Sequence, residues 1–246
     1  DPQITQALLM LDDFQGAGLA TLREISVALQ RFKAAGKPVL AWGSRYDQRQ
    51  YHVASAANEV LLHPMGLVHL EGYGRYRNYY RDALDRLGVT VNLIHVGTYK
   101  SFGEPFIANG PSPASIEAES LLNHGLWSSY TDAVEHARKL APGSVNRSID
   151  ELPQRLAAAN GNLAQLAAQE KLVDGLRTRD EFRRGLLEAG APPSDDDDET
   201  FRQISMYSYL SHVRPSPTGD AVGVIVAQGE IVGGDARQGR VGSTST

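Results

Sequence analysis

Lys100 lies in the segment Gly97-Thr98-Tyr99-Lys100-Ser101-Phe102-Gly103-Glu104-Pro105-Phe106, with Tyr99, Phe102 and Phe106 around it. An ammonium pressed against apolar bulk loses hydration, and its neutral amine becomes available as a general base or as a nucleophile toward a carbonyl. The same residues would also suit a surface lysine whose stem lies along the rings while its head stays in water. Other reactive constellations have weaker support. The seven histidines (His52, His63, His69, His95, His124, His136 and His212) show no metal-ligand spacing such as His-Glu-x-x-His. No Gly-x-Ser-x-Gly elbow occurs, and a triad without its motif cannot be read from one sequence. Gly72-Tyr73-Gly74 lacks the third glycine of a dinucleotide fingerprint, and no Walker A pattern is present.

The elements that must position Lys100 follow from periodicity. Val91 to Val96 alternates apolar and polar residues, which predicts a strand with one buried face and places His95 in the sheet just before Lys100. Ahead of it, strands are expected at Ile4–Leu11, Val39–Trp42 and Val60–Leu62, with a short one at Val68–Leu70. Helices are expected from Thr21, through a capping box with Glu24, to Gly36, over Tyr46–Asn58, and over Gly74–Leu87 with Tyr76, Tyr80 and Leu87 buried. Ser112-Pro113 starts a long helix toward Leu140 whose apolar face runs from Ile116 through Leu121 and Tyr130 to Val134. Leu152–Leu166 and Asp180–Ala189 read as further helices, with a short strand near Val173–Leu176. Strands alternating with helices through short loops predict an α/β fold with a largely parallel sheet.

Composition sets the outer bounds. The 246 residues are 41% hydrophobic and 22% charged, ordinary for a globular chain able to bury a core. A net charge of −5 without a Lys/Arg cluster argues against nucleic acid as a partner. The absence of cysteine removes disulfides and thiolate metal sites. No apolar run approaches the roughly 18 residues needed to span a bilayer. Without an initiator methionine or signal peptide, the chain is expected to begin mid-protein. Beyond Gly190, Pro192-Pro193 and the acidic run Asp195–Glu199 suggest a solvated loop, and Arg214–Gly219 a linker. Val222, Val224 and Val226 then open a fresh strand. The expected division is a lobe over 1–190, a linker over 191–219 and the opening of a second lobe over 220–246.

Gly-Thr-Tyr-Lys-Ser followed by Glu-Pro-Phe resembles the catalytic-lysine segment of the long, tandem-domain signal peptide peptidases. The likeness continues in order along the chain. Tyr51-His52-Val53-Ala54-Ser55-Ala56-Ala57-Asn58 is similar to that family's Tyr-x-x-Ala-Ser-x-Ala-Asn, Leu172-Val173-Asp174 to its Leu-Val-Asp, and Val222–Ile231 to the opening strand of its second lobe. The resemblance implies a Clp protease/crotonase-like β-β-α superhelix and a serine–lysine endopeptidase that degrades cleaved signal peptides. Lys100 would be the general base, with Tyr99, Ser101 and Glu104 as candidates to position it. It also implies a ring of copies such as a tetramer, no cofactor, and an anchor outside this sequence holding the catalytic part on the outer face of a bacterial cytoplasmic membrane. The family's Ala-Ser-Gly-Gly-Tyr-Trp nucleophile segment has no counterpart here. Aligned on Tyr51, Gln48 occupies the serine slot, and Arg49 and Gln50 stand where the glycines would be, so the nucleophile is expected from the second lobe. Two alternatives remain: a non-catalytic lobe serving only assembly, and a crotonase-fold acyl-CoA enzyme relying on oxyanion-hole amides.

Overall fold

The computed structural model describes residues 1–189, 193–194, 197–213, 219–220, 222–223, 229–235, 237 and 240–242. The chain divides into two compact units, Asp1–Ala191 and Pro192–Thr246. The first is built on a four-stranded, all-parallel sheet in the order β1 (Ala7–Met10), β2 (Val39–Gly43), β3 (Glu59–Leu62), β4 (Gly175–Leu176). Parallel neighbours need crossovers. The first two crossovers are the helices α1 (Leu19–Ala34) and α2 (Gln48–Ala54).

Local chemistry explains most of this frame. Leu22, Ile25, Leu29 and Phe32 recur at helical spacing on α1 and face the core, and Gly36 stops the helix at φ 78°. That helix begins earlier than the expected Thr21–Glu24 box, because the Leu22 amide already donates to the Gly18 carbonyl at 3.0 Å. Helix α2 is shorter than the expected Tyr46–Asn58, and Ala54 at its end with Ala56 and Ala57 just beyond are buried and allow close packing beside the sheet. Val68–Leu70 makes only an isolated bridge, Tyr46 to Val68.

The stretch between β3 and the next long helix differs most from expectation. Instead of a helix over Gly74–Leu87, only α3 (Arg81–Arg86) forms, and Tyr76, Tyr80 and Leu87 are exposed. Arg75 and Arg77 both reach Glu119, at 3.6 and 3.2 Å. Residues two apart share a side in extended backbone, not in a helix, so these pairs favour the extended form. Val91–Val96 is not a strand either. Among the described residues it pairs with no other strand, and Ile94 is 94% exposed. His95 is exposed rather than packed in a sheet. Alternation becomes a strand only when it pairs, and among the described residues this stretch lies in no sheet.

The short α4 (Glu104–Ile107) leads into α5 (Pro113–Arg138). Ser112 caps α5 by accepting from the Ser115 amide at 3.2 Å, and Pro113 opens the first turn. The apolar face of α5 is divided. Tyr130 and Val134 are in the core, whereas Ile116 and Leu121 are exposed, because the first half of the helix lies beside the 75–107 arm. Next come α6 (Ser144–Asp150), α7 (Leu152–Ala158), α8 (Leu163–Gln169) and α9 (Arg179–Glu188). The helix expected over Leu152–Leu166 is broken into α7 and α8 at Asn160 and Gly161, which take left-handed φ of 53° and 77°.

The second unit contains the antiparallel pair β5 (Pro193–Ser194) and β6 (Asp197–Phe201), the helix α10 (Met206–Val213), and the parallel pair β7 (Glu230–Val232) and β8 (Arg240–Gly242). Part of the expected acidic loop is thus strand β6, whose closing Thr200-Phe201 has the β-propensity to support pairing. Helix α10 likewise falls inside the expected linker, with an apolar Met-Tyr-x-Tyr-Leu sequence that suits a helix. The strand expected over 221–226 falls mostly outside the described residues, and Val222 and Gly223 carry no regular structure. Strands β7 and β8 are joined also by an Arg240–Glu230 ion pair at 3.2 Å.

Candidate functional site

Lys100 sits on the extended arm between Gly72 and Ser112. It is exposed, and among the described residues its Nζ has no hydrogen-bond or ion-pair partner. The expected apolar pocket does not form within this lobe: Tyr99 is exposed and Phe102 is 88% exposed. Gly97 turns the chain just before the lysine at φ 109°, and a Cβ there would lie 3.3 Å from Lys100 Cγ. Gly103 lets Leu93 pack closely, since a Cβ would come within 2.5 Å of a Leu93 methyl. The arm is therefore shaped, though little covered.

Polar ties set its position. The Tyr99 hydroxyl lies 3.3 Å from Glu117 Oε2, and the Ser101 carbonyl accepts from Arg77 at 3.2 Å. Glu104 is committed elsewhere: its carboxylate accepts from the Ser112 hydroxyl at 2.5 Å and from the Ser112 amide at 3.3 Å, anchoring the start of α5. Tyr99 and Ser101 thus bracket Lys100, whereas Glu104 holds the far end of the arm. Lys100 spacing alone does not single out Arg77, Glu117 and Glu119. The signal that could have found them is Arg75-x-Arg77 matched in sign and spacing by Glu117-x-Glu119.

Gln48 marks the near end of the arm. It opens α2 at the carboxyl edge of the parallel sheet, where open α/β folds place ligand sites. Here the slot is filled. Gln48 is 5% exposed, its Oε1 accepts from the Glu71 and Gly72 amides at 3.0 and 2.7 Å, and its Nε2 donates to the Gly72 carbonyl at 3.1 Å. Gln50 donates to the Leu11 carbonyl at 2.8 Å and accepts from the Asp47 amide, completing a capping box. The Arg49 side chain lies against Gly16, where a Cβ would meet its Cδ at 2.5 Å. Gln48, whose amide is not a nucleophile, thus fills the position itself.

The other motif residues hold the frame. The Tyr51 hydroxyl donates to the Leu172 carbonyl at 2.6 Å, and burial pushes this phenol well above the usual tyrosine range. Asn58 Oδ1 accepts from the Val39 amide at 2.9 Å. Asp174 receives the Arg138 guanidinium at 2.7 and 2.9 Å and the Val60 amide at 2.7 Å. Burial would raise the Asp174 carboxyl, but the bonds from Arg138 and Val60 outweigh it and hold the group below its ordinary value. His52 is buried between Ser26 and Tyr130, and burial, with the Arg23 charge, lowers its basicity. Among the described residues no His/Asp/Glu group converges to hold a metal ion, and no helix is long and apolar enough to cross a membrane.

The described residues thus give an α/β lobe whose sheet edge is filled by Gln48 and a lysine carried on an exposed arm. Residues 31–189 match the model of peptidase family S49, and the chain belongs to that family. Among similar proteins, Protease 4 of Salmonella typhi is 37% identical over 246 residues, covering 100% of this chain and 39% of that protein. Protease 4 of Haemophilus influenzae is 36% identical over 182 residues, covering 73% of this chain and 29% of its own length. The chloroplastic serine protease SPPA of Arabidopsis thaliana is 23% identical over 183 residues, 73% of this chain and 27% of that one. The chain therefore spans well under half the length of these relatives.

Proposed function

We propose that this lobe supplies the general base, Lys100, to a serine peptidase whose nucleophile lies in a second lobe of the Clp protease/crotonase type. The observation that carries this reading is the unpartnered Lys100 amine on an exposed, apolar arm of a family S49 chain. Gln48 supports it from the other side, because the slot where a serine would stand is occupied by an amide already spent on three hydrogen bonds. Contact with the second lobe, or with a neighbouring copy in a ring, would cover Tyr99, Phe102 and Phe106 and desolvate the amine.

In the proposed reaction the neutral Lys100 amine takes the serine hydroxyl proton as the oxygen attacks the peptide carbonyl. The resulting ammonium protonates the departing amine, leaving an acyl-enzyme. Water, deprotonated by the same amine, then releases the acid and restores the serine. Cleaved signal peptides and other unfolded peptides are the proposed substrates. The proposed setting is the outer face of a bacterial cytoplasmic membrane, reached through an anchor outside these residues.

Lys100→Met keeps the stem's bulk and removes the base. In the complete protein it should lower peptide hydrolysis by about two to four orders of magnitude without loss of assembly. The present chain alone should be inert. Turnover by this chain that disappears with Lys100→Met would overturn the missing-nucleophile assignment, and full activity of the complete Lys100→Met protein would overturn the base. Borohydride trapping of a carbonyl substrate on Lys100 would instead indicate Schiff-base chemistry.

A further inference from the structure

The arm carrying Lys100 has almost no ladder of its own. Around the lysine the backbone bonds are local, such as the Lys100 amide to the Gly97 carbonyl at 3.3 Å, and its neighbours face solvent. One side chain departs from this openness. Arg77 is only 17% exposed, and its guanidinium reaches in two directions: Nη1 donates to the Ser101 carbonyl at 3.2 Å, and Nη2 meets Glu119 at 3.2 Å. Glu119 stands on α5, whose far half is locked into the core by Tyr130 and Val134. A continuous line of contacts therefore runs from the core along α5 to Glu119, through Arg77, to the carbonyl of Ser101, the residue after Lys100.

We propose that Arg77, held by Glu119, is the positioning residue that fixes Lys100 for proton transfer. This rests on the reading of Lys100 as the general base. A planar fork with donors on both faces can hold a carboxylate and a carbonyl at once in fixed geometry, whereas a lysine at 77 would offer a single mobile head. Exposed ion pairs add little to global stability, so the gain from this one lies in where it holds the backbone. Proton transfer is sensitive to such placement: a shift of about 1 Å costs on the order of a hundredfold in rate. Tyr99 and Glu117 add a second tie on the other side of the lysine, and Arg75 at 3.6 Å gives Glu119 a second, looser partner.

The test uses the complete protein and a quenched fluorogenic peptide of apolar, signal-peptide-like sequence. It compares Arg77→Lys, Arg77→Met, Glu119→Gln and Lys100→Met by kcat, KM, melting temperature and hydrogen exchange. Both Arg77 variants should lose about 10- to 100-fold in kcat with KM within about twofold, the signature of a group felt only during chemistry. Exchange should quicken at residues 97–103 and stay unchanged at 126–138. Adding Glu119→Gln to Arg77→Met should cost little more, since both act through one contact. Where a fall in melting temperature shows that Arg77→Met disturbs folding, Arg77→Lys and Glu119→Gln decide by the same kcat and KM split. Wild-type kcat in the Arg77 variants, with Lys100→Met inactive, would overturn the positioning role and leave the base in place. Wild-type kcat in Lys100→Met would overturn the base itself.

Discussion

From Tyr51 to Ala57 every residue is buried, whereas from Thr98 to Phe102 only Ser101 is even partly covered. Both stretches carry motif residues of the same family, yet they answer to different physics. In the first, the Tyr51 hydroxyl, Asn58 beyond it and the distant Asp174 each close a backbone bond between elements far apart in sequence. These groups would be costly to leave unpaired in an interior. In the second, the Lys100 amine and the Phe102 ring stand in solvent, and the Tyr99 hydroxyl reaches Glu117 at the surface. Motif residues can thus lie inside the frame or outside it, and burial tells the two apart.

The sharpest way to break this contrast is to cut a tie in the frame. Asp174→Ala removes the carboxylate from the Arg138 guanidinium, whose side chain is 6% exposed and still donates to the Lys171 carbonyl, and frees the Val60 amide. It should cost about 3 kcal/mol, the low end for breaking a buried pair, because Asp174 itself is 40% exposed. Urea unfolding of this chain measures it, and a loss below about 0.5 kcal/mol would mean the frame does not depend on that motif.

A smaller effect should come from acid. The native state disfavours protonation of His52, whose ordinary value is 6.5, so the unfolded chain binds the extra proton first. Its contribution is complete above about pH 6.5 and declines as pH falls toward the lowered native value. The Asp174 contribution has the same sign but is lost only in the more acidic range below 3.8. Stability against pH should therefore fall in two stages, and His52→Gln should remove the first. A single stage unaffected by His52→Gln would show that this histidine is not held neutral.

The smallest effect should be on the arm. Ile94→Ser changes a side chain already 94% in water and should alter the stability of this chain by less than about 0.5 kcal/mol. In the complete protein the same change should be felt if a second lobe covers the arm, so comparing the two forms tests whether its exposure belongs to the isolated lobe.

Much of the frame was legible because its signals are local. Gly36 and Gly88 end their helices in left-handed φ, Ser112-Pro113 starts α5, and the apolar runs at residues 39–42 and 60–62 fall in β2 and β3. The arm was misread because its determinants are remote. The alternation of Val91–Val96 means a strand only if another edge is free, and the helical spacing of Tyr76 to Leu87 yields to the pull of Glu119 on Arg75 and Arg77. The surroundings of Lys100 were illegible for the same reason, since nearby aromatic residues do not reveal which way they face. The action of Gln48 as a clamp was not legible, because its partners at 71 and 72 lie in a loop without a pattern.

That clamp bears on how the lobe could change. A serine installed at position 48 would arrive with a hydroxyl too short to reach the Glu71 and Gly72 amides and the Gly72 carbonyl together, so the base of the arm would come loose as the nucleophile appeared. Gln50 would still span Leu11 and Asp47, and Arg49 would still fill the space beside Gly16. A serine at 48 therefore leaves the loop at 71 and 72 without the side chain that holds it to α2. Three consecutive side chains thus fasten the start of α2 to three separate stretches of the chain.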